Sequence, residues 1–134
     1  MNPKCNTSDF FSSFSQGNVK LARLLIHKTT MADLSQHDWT TQLAADDNAV
    51  ILDVRTPEEV ALGIIPNAIV IDIYKGQGFI NEVEALDKSK TYYVYCKMGG
   101  RSAQACSVMN KLGFKNTYNL IGGFTEWKGE VASI

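Results

Sequence analysis

The sequence predicts an α/β fold: a mostly parallel sheet of about four to five strands with helices on both faces. Two observations carry that expectation. Short, continuous apolar runs recur along the chain, "AVILDV", "AIVIDI" and "TYYVYC", as strands buried on both faces require. Helix-forming stretches with start and stop signals separate them, and that alternation is the pattern of parallel strands linked by helical crossovers. A length of 134 residues suits one domain with one sizeable core.

In chain order, Ser35 is an N-cap for a first helix over "SQHDWTTQL", with Asp38 three residues on and Trp39 and Leu43 one turn apart on one face. The first strand is Ala49 to Val54. In "TPEEVAL", Pro57 takes the first helical position and Glu58 and Glu59 the first turn, where the helix dipole favours acids. A second strand spans Ala68 to Ile73, a short helix Phe79 to Leu86, and a third strand Thr91 to Cys96. The helix "RSAQACSVMNKLG" ends on Gly113 as its C-cap. Asn116 to Leu120 is a fourth strand and "FTEWKGE" a closing helix. The "GQG" at Gly76 to Gly78 lacks the third glycine of a dinucleotide-binding loop and reads as a turn.

Residues 1–33 form an N-terminal extension, either a short helix over "VKLARLLIH" or a poorly ordered leader, and 34–134 form the domain. The leader carries Lys4, Lys20, Arg23 and Lys28 against Asp9 alone, so the chain's net charge of -1 hides a basic start. It has no apolar core of the roughly 7 to 15 residues that a secretory signal needs. With 45% hydrophobic and 20% charged residues, the composition is that of a globular protein with no expected nucleic-acid or membrane partner. Three cysteines, Cys5, Cys96 and Cys106, are an odd number without a C-x-x-C pair, which disfavours a disulfide framework and a zinc site and fits the reducing cytoplasm.

The chemistry concentrates in "YCKMGGRS". Cys96 falls at the carboxyl end of a strand that feeds a helix, the position where ligands of open α/β sheets sit. Gly99 and Gly100 let the backbone curl with its N–H groups inward, making an anion-binding nest at a helix N-terminus. The same field, with Lys97 and Arg101 as cations, favours the Cys96 thiolate, so the nucleophile needs no general base. His27 and His37 both precede the first strand, which argues against a cysteine-protease arrangement. Cys106 shares a helical face with Ser102, Ala105 and Met109 and reads as core; a resolving cysteine is its alternative role.

These residues resemble the active-site loop of the rhodanese family, Cys-x-x-Gly-x-Arg followed by Ser or Thr. "LDVRTPEE" is similar to the family's Asp-x-Arg element, "GIIPNAIVIDI" to its Gly-His-Ile-Pro-Gly-Ala segment, and "LGFKNTYNLIGGFTEW" to its closing Gly-Gly-x-x-x-Trp element. The resemblance implies a sulfurtransferase: Cys96 takes sulfane sulfur from a small anionic donor such as thiosulfate, holds it as a persulfide, and passes it to a thiol, cyanide or a protein acceptor. It implies that Lys97, Met98, Gly99, Gly100, Arg101 and Ser102 bind substrate, that Asp53 and Arg55 brace the loop, and that neither cofactor nor metal takes part. Ile64 and Asn67 stand where the family has His and Gly, a departure that bears on local packing. The alternatives are a non-catalytic binding or sulfur-carrier module of this fold, and a cysteine phosphatase or arsenate reductase. The last two place five residues between Cys and Arg, whereas four separate Cys96 from Arg101, a smaller ring better matched to sulfur than to a tetrahedral oxyanion.

Overall fold

The computed structural model of the chain describes residues 30–134. The possible helix over Val19 to His27 lies outside the described residues. Five strands form one parallel sheet: β1 (Thr30–Leu34), β2 (Ala49–Asp53), β3 (Ile69–Val70), β4 (Thr91–Tyr95) and β5 (Asn116–Leu120), in the order β1-β5-β4-β2-β3. Between them run α1 (Gln36–Ala44), α2 (Pro57–Val60), α3 (Gln77–Glu84) and α4 (Gly100–Lys111), with 3-10 turns at Ile73–Lys75 and Phe124–Glu126.

The central strand β4, TYYVY, is buried along its whole length, and its alternating side chains divide the interior into two cores. Tyr92, Val94 and Cys96 pack with Phe79 and Val83 of α3 and Ala105, Cys106 and Met109 of α4. Tyr93 and Tyr95 pack on the other face with Trp39 of α1, Ile65 and Leu120. Trp39, with no exposed surface, meets Tyr93, Tyr95 and Trp127 edge-on at 5.7, 6.4 and 5.9 Å between ring centroids, a favoured aromatic geometry. The Ser35 cap forms as expected, its hydroxyl accepting from the Asp38 N–H at 3.2 Å.

Four elements differ from the sequence reading. β1 was not anticipated, because "TMADL" has no apolar run; it forms as an edge strand whose pairing with β5 supplies the hydrogen bonds, and the boundary drawn between residues 33 and 34 falls inside it. β3 is two residues long rather than six, since the Asp72 carboxylate accepts from the Tyr74 N–H at 2.9 Å and turns the chain out of the sheet. The Gly76 to Gly78 turn instead opens α3. The closing helix shrinks to a single 3-10 turn: Trp127 leaves it in extended conformation to pack on Trp39, and the Lys128 N–H donates to Gln36 Oε1 at 2.7 Å.

Candidate functional site

Parallel strands direct their carboxyl ends to one edge of the sheet, and Cys96 stands there, immediately after β4. The chain turns through Lys97, Met98 and Gly99 and enters α4 at Gly100. Gly99 has φ of 114°, which a side chain would oppose. Gly100 is ordinary helix, so only the first of the two glycines is demanded by conformation. The turn brings the Gly99 N–H to 3.0 Å from Cys96 Sγ, and the Ser102 hydroxyl, one turn into α4, to 3.3 Å.

Cys96 is 1% exposed. Burial pushes its thiol up, but bonds from the Ser102 hydroxyl and from the N–H groups of Ser102, Gly99 and Met98 more than offset this and hold it below the ordinary thiol value. Cys106, inside α4, has no such cradle, and burial pushes it up to about 12.

Arg101 lies within electrostatic reach of Cys96, and its side chain is also held by a carboxylate. Its guanidinium grips the Glu59 carboxylate in a two-pronged pair, Nη1 to Oε1 at 2.7 Å and Nη2 to Oε2 at 2.8 Å, which holds Glu59 down to about 2. Glu59 also accepts from the Thr56 N–H at 3.0 Å, while Thr56 Oγ1 accepts from the Glu59 N–H at 3.3 Å, completing the capping box of α2. The cap of α2 is thereby fastened to the first turn of α4. Lys97 and Met98 remain exposed.

Asp53 and Arg55 form a buried ion pair, 0% and 3% exposed, at 2.7 Å. Arg55 also donates to the Gly63 carbonyl at 2.8 Å and lies 4.3 Å from the Phe124 ring centroid. Phe124 touches the loop directly: its N–H donates to the Cys96 carbonyl, and the Thr125 N–H donates to that of Lys97, both at 2.9 Å. Gly123, with φ of 55°, lies so close that a Cβ there would sit 2.5 Å from the Lys97 oxygen. Ile64 is buried and pairs by two backbone bonds with Ala132, so the position that holds His in the family is taken up by packing. Asn67, with φ of 71°, occupies the family's glycine position in the left-handed conformation that asparagine tolerates best among residues with a side chain.

Sequence reasoning missed four residues at this site: Glu59 as the Arg101 partner, Gly123 behind the loop, Asn119 of β5, which reaches Ser102, and Asp33 of β1, which accepts from the Asn119 amide. Only Gly123 had a signal, as part of the Gly-Gly pair. A separate cavity of about 540 Å³, lined by Asp46, Thr91 and Asn116 among others, opens at the amino end of β4 and β5, roughly 16 Å of strand away from Cys96. Among the described residues, no group of three or more His, Cys, Asp or Glu could hold a metal ion, and no helix is long and apolar enough to cross a membrane.

The profile of the rhodanese-like domain family matches residues 36–130. The chain belongs to that family. YtwF of Bacillus subtilis is 42% identical over 90 residues, 66% of this chain and 82% of its own. A protein of Allochromatium vinosum named sulfurtransferase is 30% identical over 95 residues, 71% of this chain and 86% of its own. The crystal structure of a rhodanese-like domain protein from Staphylococcus aureus superimposes with a TM-score of 0.67 at 28% identity, covering 78% of this chain and 99% of its own.

Proposed function

We propose that this rhodanese-like domain is a sulfurtransferase that carries sulfane sulfur as a persulfide on Cys96. The observation that carries the reading is the cradle at the sulfur: a nucleophile at a strand end, with the Gly99 N–H at 3.0 Å and the Ser102 hydroxyl at 3.3 Å. The relatives named sulfurtransferases support it, as does a Cys96 thiol held low by neutral donors rather than by a base.

With thiosulfate as donor, the Cys96 thiolate attacks the outer sulfur; the new S–S bond forms as the old one breaks, and sulfite leaves with the electron pair. The persulfide's outer sulfur now carries the negative charge, which fixed N–H dipoles stabilise without reorganising. A thiolate or cyanide then attacks that outer sulfur, the Cys96 thiolate departs, and the enzyme is restored. The two half-reactions make the kinetics ping-pong. Free Cys96 and Cys106 thiols accord with a reducing compartment such as the cytoplasm.

Two measurements test the reading. Intact mass after thiosulfate treatment should show one added sulfur, absent in Cys96→Ser, and cyanide should then release thiocyanate. An adduct without turnover would favour a sulfur carrier. No adduct on a folded protein would leave a binding module and end the proposal.

A further inference from the structure

Behind Cys96 lies a chain of polar groups that the proposed chemistry leaves unused. Asn119, 5% exposed, has three groups around its amide: the Asp33 carboxylate at 2.9 Å, the Gly99 carbonyl at 3.2 Å, and the Ser102 hydroxyl. A carboxylate and a carbonyl can only accept, so the amide nitrogen faces those two and the amide oxygen faces Ser102. Ser102 Oγ has one proton and is itself surrounded by Asn119 Oδ1, the Gly99 carbonyl at 3.2 Å and Cys96 Sγ at 3.3 Å. Asn119 already serves the Gly99 carbonyl. The contest for the proton is therefore between Asn119 and Cys96.

With Cys96 as a thiol there is no conflict, because the S–H donates to Ser102 and the Ser102 O–H donates to Asn119. A thiolate changes this, since it can only accept. If the hydroxyl stays on Asn119, an oxygen lone pair faces an anionic sulfur; if it turns to the sulfur, the buried Asn119 oxygen loses its donor. Ionisation costs the chain one hydrogen bond either way, and buried polar networks feel such losses strongly.

We propose that Asn119, oriented by Asp33, is a positioning residue that competes with Cys96 for the single Ser102 proton, so that the hydroxyl turns to the sulfur when Cys96 ionises. The thiol proton leaves to water; Ser102 keeps its own proton and only rotates. On the proposed function, on which this last step rests, the hydroxyl returns to Asn119 once the charge has moved to the persulfide's outer sulfur. The chain thus restrains the resting thiol from ionising as fully as the loop alone would drive it. Other charged and titratable groups brought to this end of β4 are Lys97, Arg101 with its partner Glu59, the Asp53–Arg55 pair, Tyr74 and the Cys106 thiol, and replacing Asn119 leaves all of them in place.

The test is a titration of Cys96 in the native protein, by thiolate absorbance and by the pH dependence of its alkylation, mapped to the Cys96 peptide. Ser102→Ala should move the midpoint up by about one unit, and Asn119→Leu should move it down by about one unit, tenfold more thiolate at a fixed pH below the midpoint. In the Ser102→Ala background, Asn119→Leu should give no downward shift, since only the freed Gly99 carbonyl remains to act, and loosening the turn moves the midpoint up. A midpoint that is unchanged or raised in Asn119→Leu, or a downward shift that persists without Ser102, overturns the proposal. Should Asn119→Leu not fold, Asp33→Ala at an exposed position takes its place: part of its downward shift must vanish with Ser102, whereas a plain charge effect would survive intact. The titration requires no sulfur transfer, so a thermodynamic cycle that holds in a protein forming no adduct refutes the function alone, and an adduct without coupling refutes this inference alone.

Discussion

Replacing Glu59 with Gln isolates the charge of the Arg101 pair, because Gln keeps the acceptor that the α2 capping box requires. Glu59 is held from an ordinary 4.5 down to about 2, first by the Arg101 hydrogen bonds, against burial, with help from Thr56. Converted at 1.36 kcal/mol per unit, that depression is worth about 3.4 kcal/mol. Gln retains the Thr56 bonds, and the two side chains are 19% and 24% exposed, so solvent screening leaves about 2 kcal/mol for the variant to lose. The sign of the pH dependence follows from the depressed folded value. The contribution is fully present above the unfolded value of 4.5 and is lost as pH falls toward 2. Urea unfolding should therefore show a gap of about 2 kcal/mol between the two proteins at pH 7, narrowing by about 1 kcal/mol at pH 3.5. A gap under about 0.5 kcal/mol at pH 7, the range of ordinary surface pairs, or one that does not change with pH, would refute the account of Arg101 as a structural clamp.

Gly123→Ala should destabilise the fold by about 2 kcal/mol or more, since it combines a left-handed φ with a clash against the backbone of Lys97; thermal melting measures it, and the displaced loop should lower thiocyanate production in the surviving folded fraction. Asn67→Ala should cost about 1 kcal/mol while Asn67→Gly costs nothing, read by the same melts, because only the alanine resists φ of 71°. Iodoacetamide at pH 8 should label Cys96, whose thiol is lowered, ahead of Cys106, whose thiol is pushed up to about 12, and rapid labelling of Cys106 in the native state would contradict that difference.

The sequence made legible those features whose cause is local. The buried strands announce themselves as apolar runs, the Ser35 cap as a residue pair three apart, and Cys96 as a cysteine between a strand end and a glycine turn. What stayed hidden depends on partners distant in the chain. "TMADL" is a strand only because β5 offers it an open edge. That Arg101 is also clamped by Glu59, 42 positions earlier, shows only once the fold brings them together. Asn119 is one polar residue in a short strand until the sheet register sets it beside Asp33. Trp127 leaves its predicted helix because Trp39 offers a better packing partner than another turn would.

The same partners explain why the chain's motif elements lie so far apart and still act together. Each fastens a different part of one loop: Glu59 of the α2 cap holds Arg101 in the first turn of α4, Gly123 and Phe124 hold the carbonyls of Lys97 and Cys96, and Asn119 holds the Gly99 carbonyl and Ser102. With Arg101 shared with Glu59 and Lys97 out in solvent, negative charge on sulfur is met at contact by N–H dipoles and one hydroxyl. A cation would hold a tetrahedral oxyanion tightly through long-range attraction; dipoles act only at contact and favour a small, soft charge at one point. Such dipoles stabilise charge only while the backbone that aims them cannot relax away. The clamps around the loop therefore bear on the proposed chemistry: they keep in place the donors that lower the Cys96 thiol below its ordinary value.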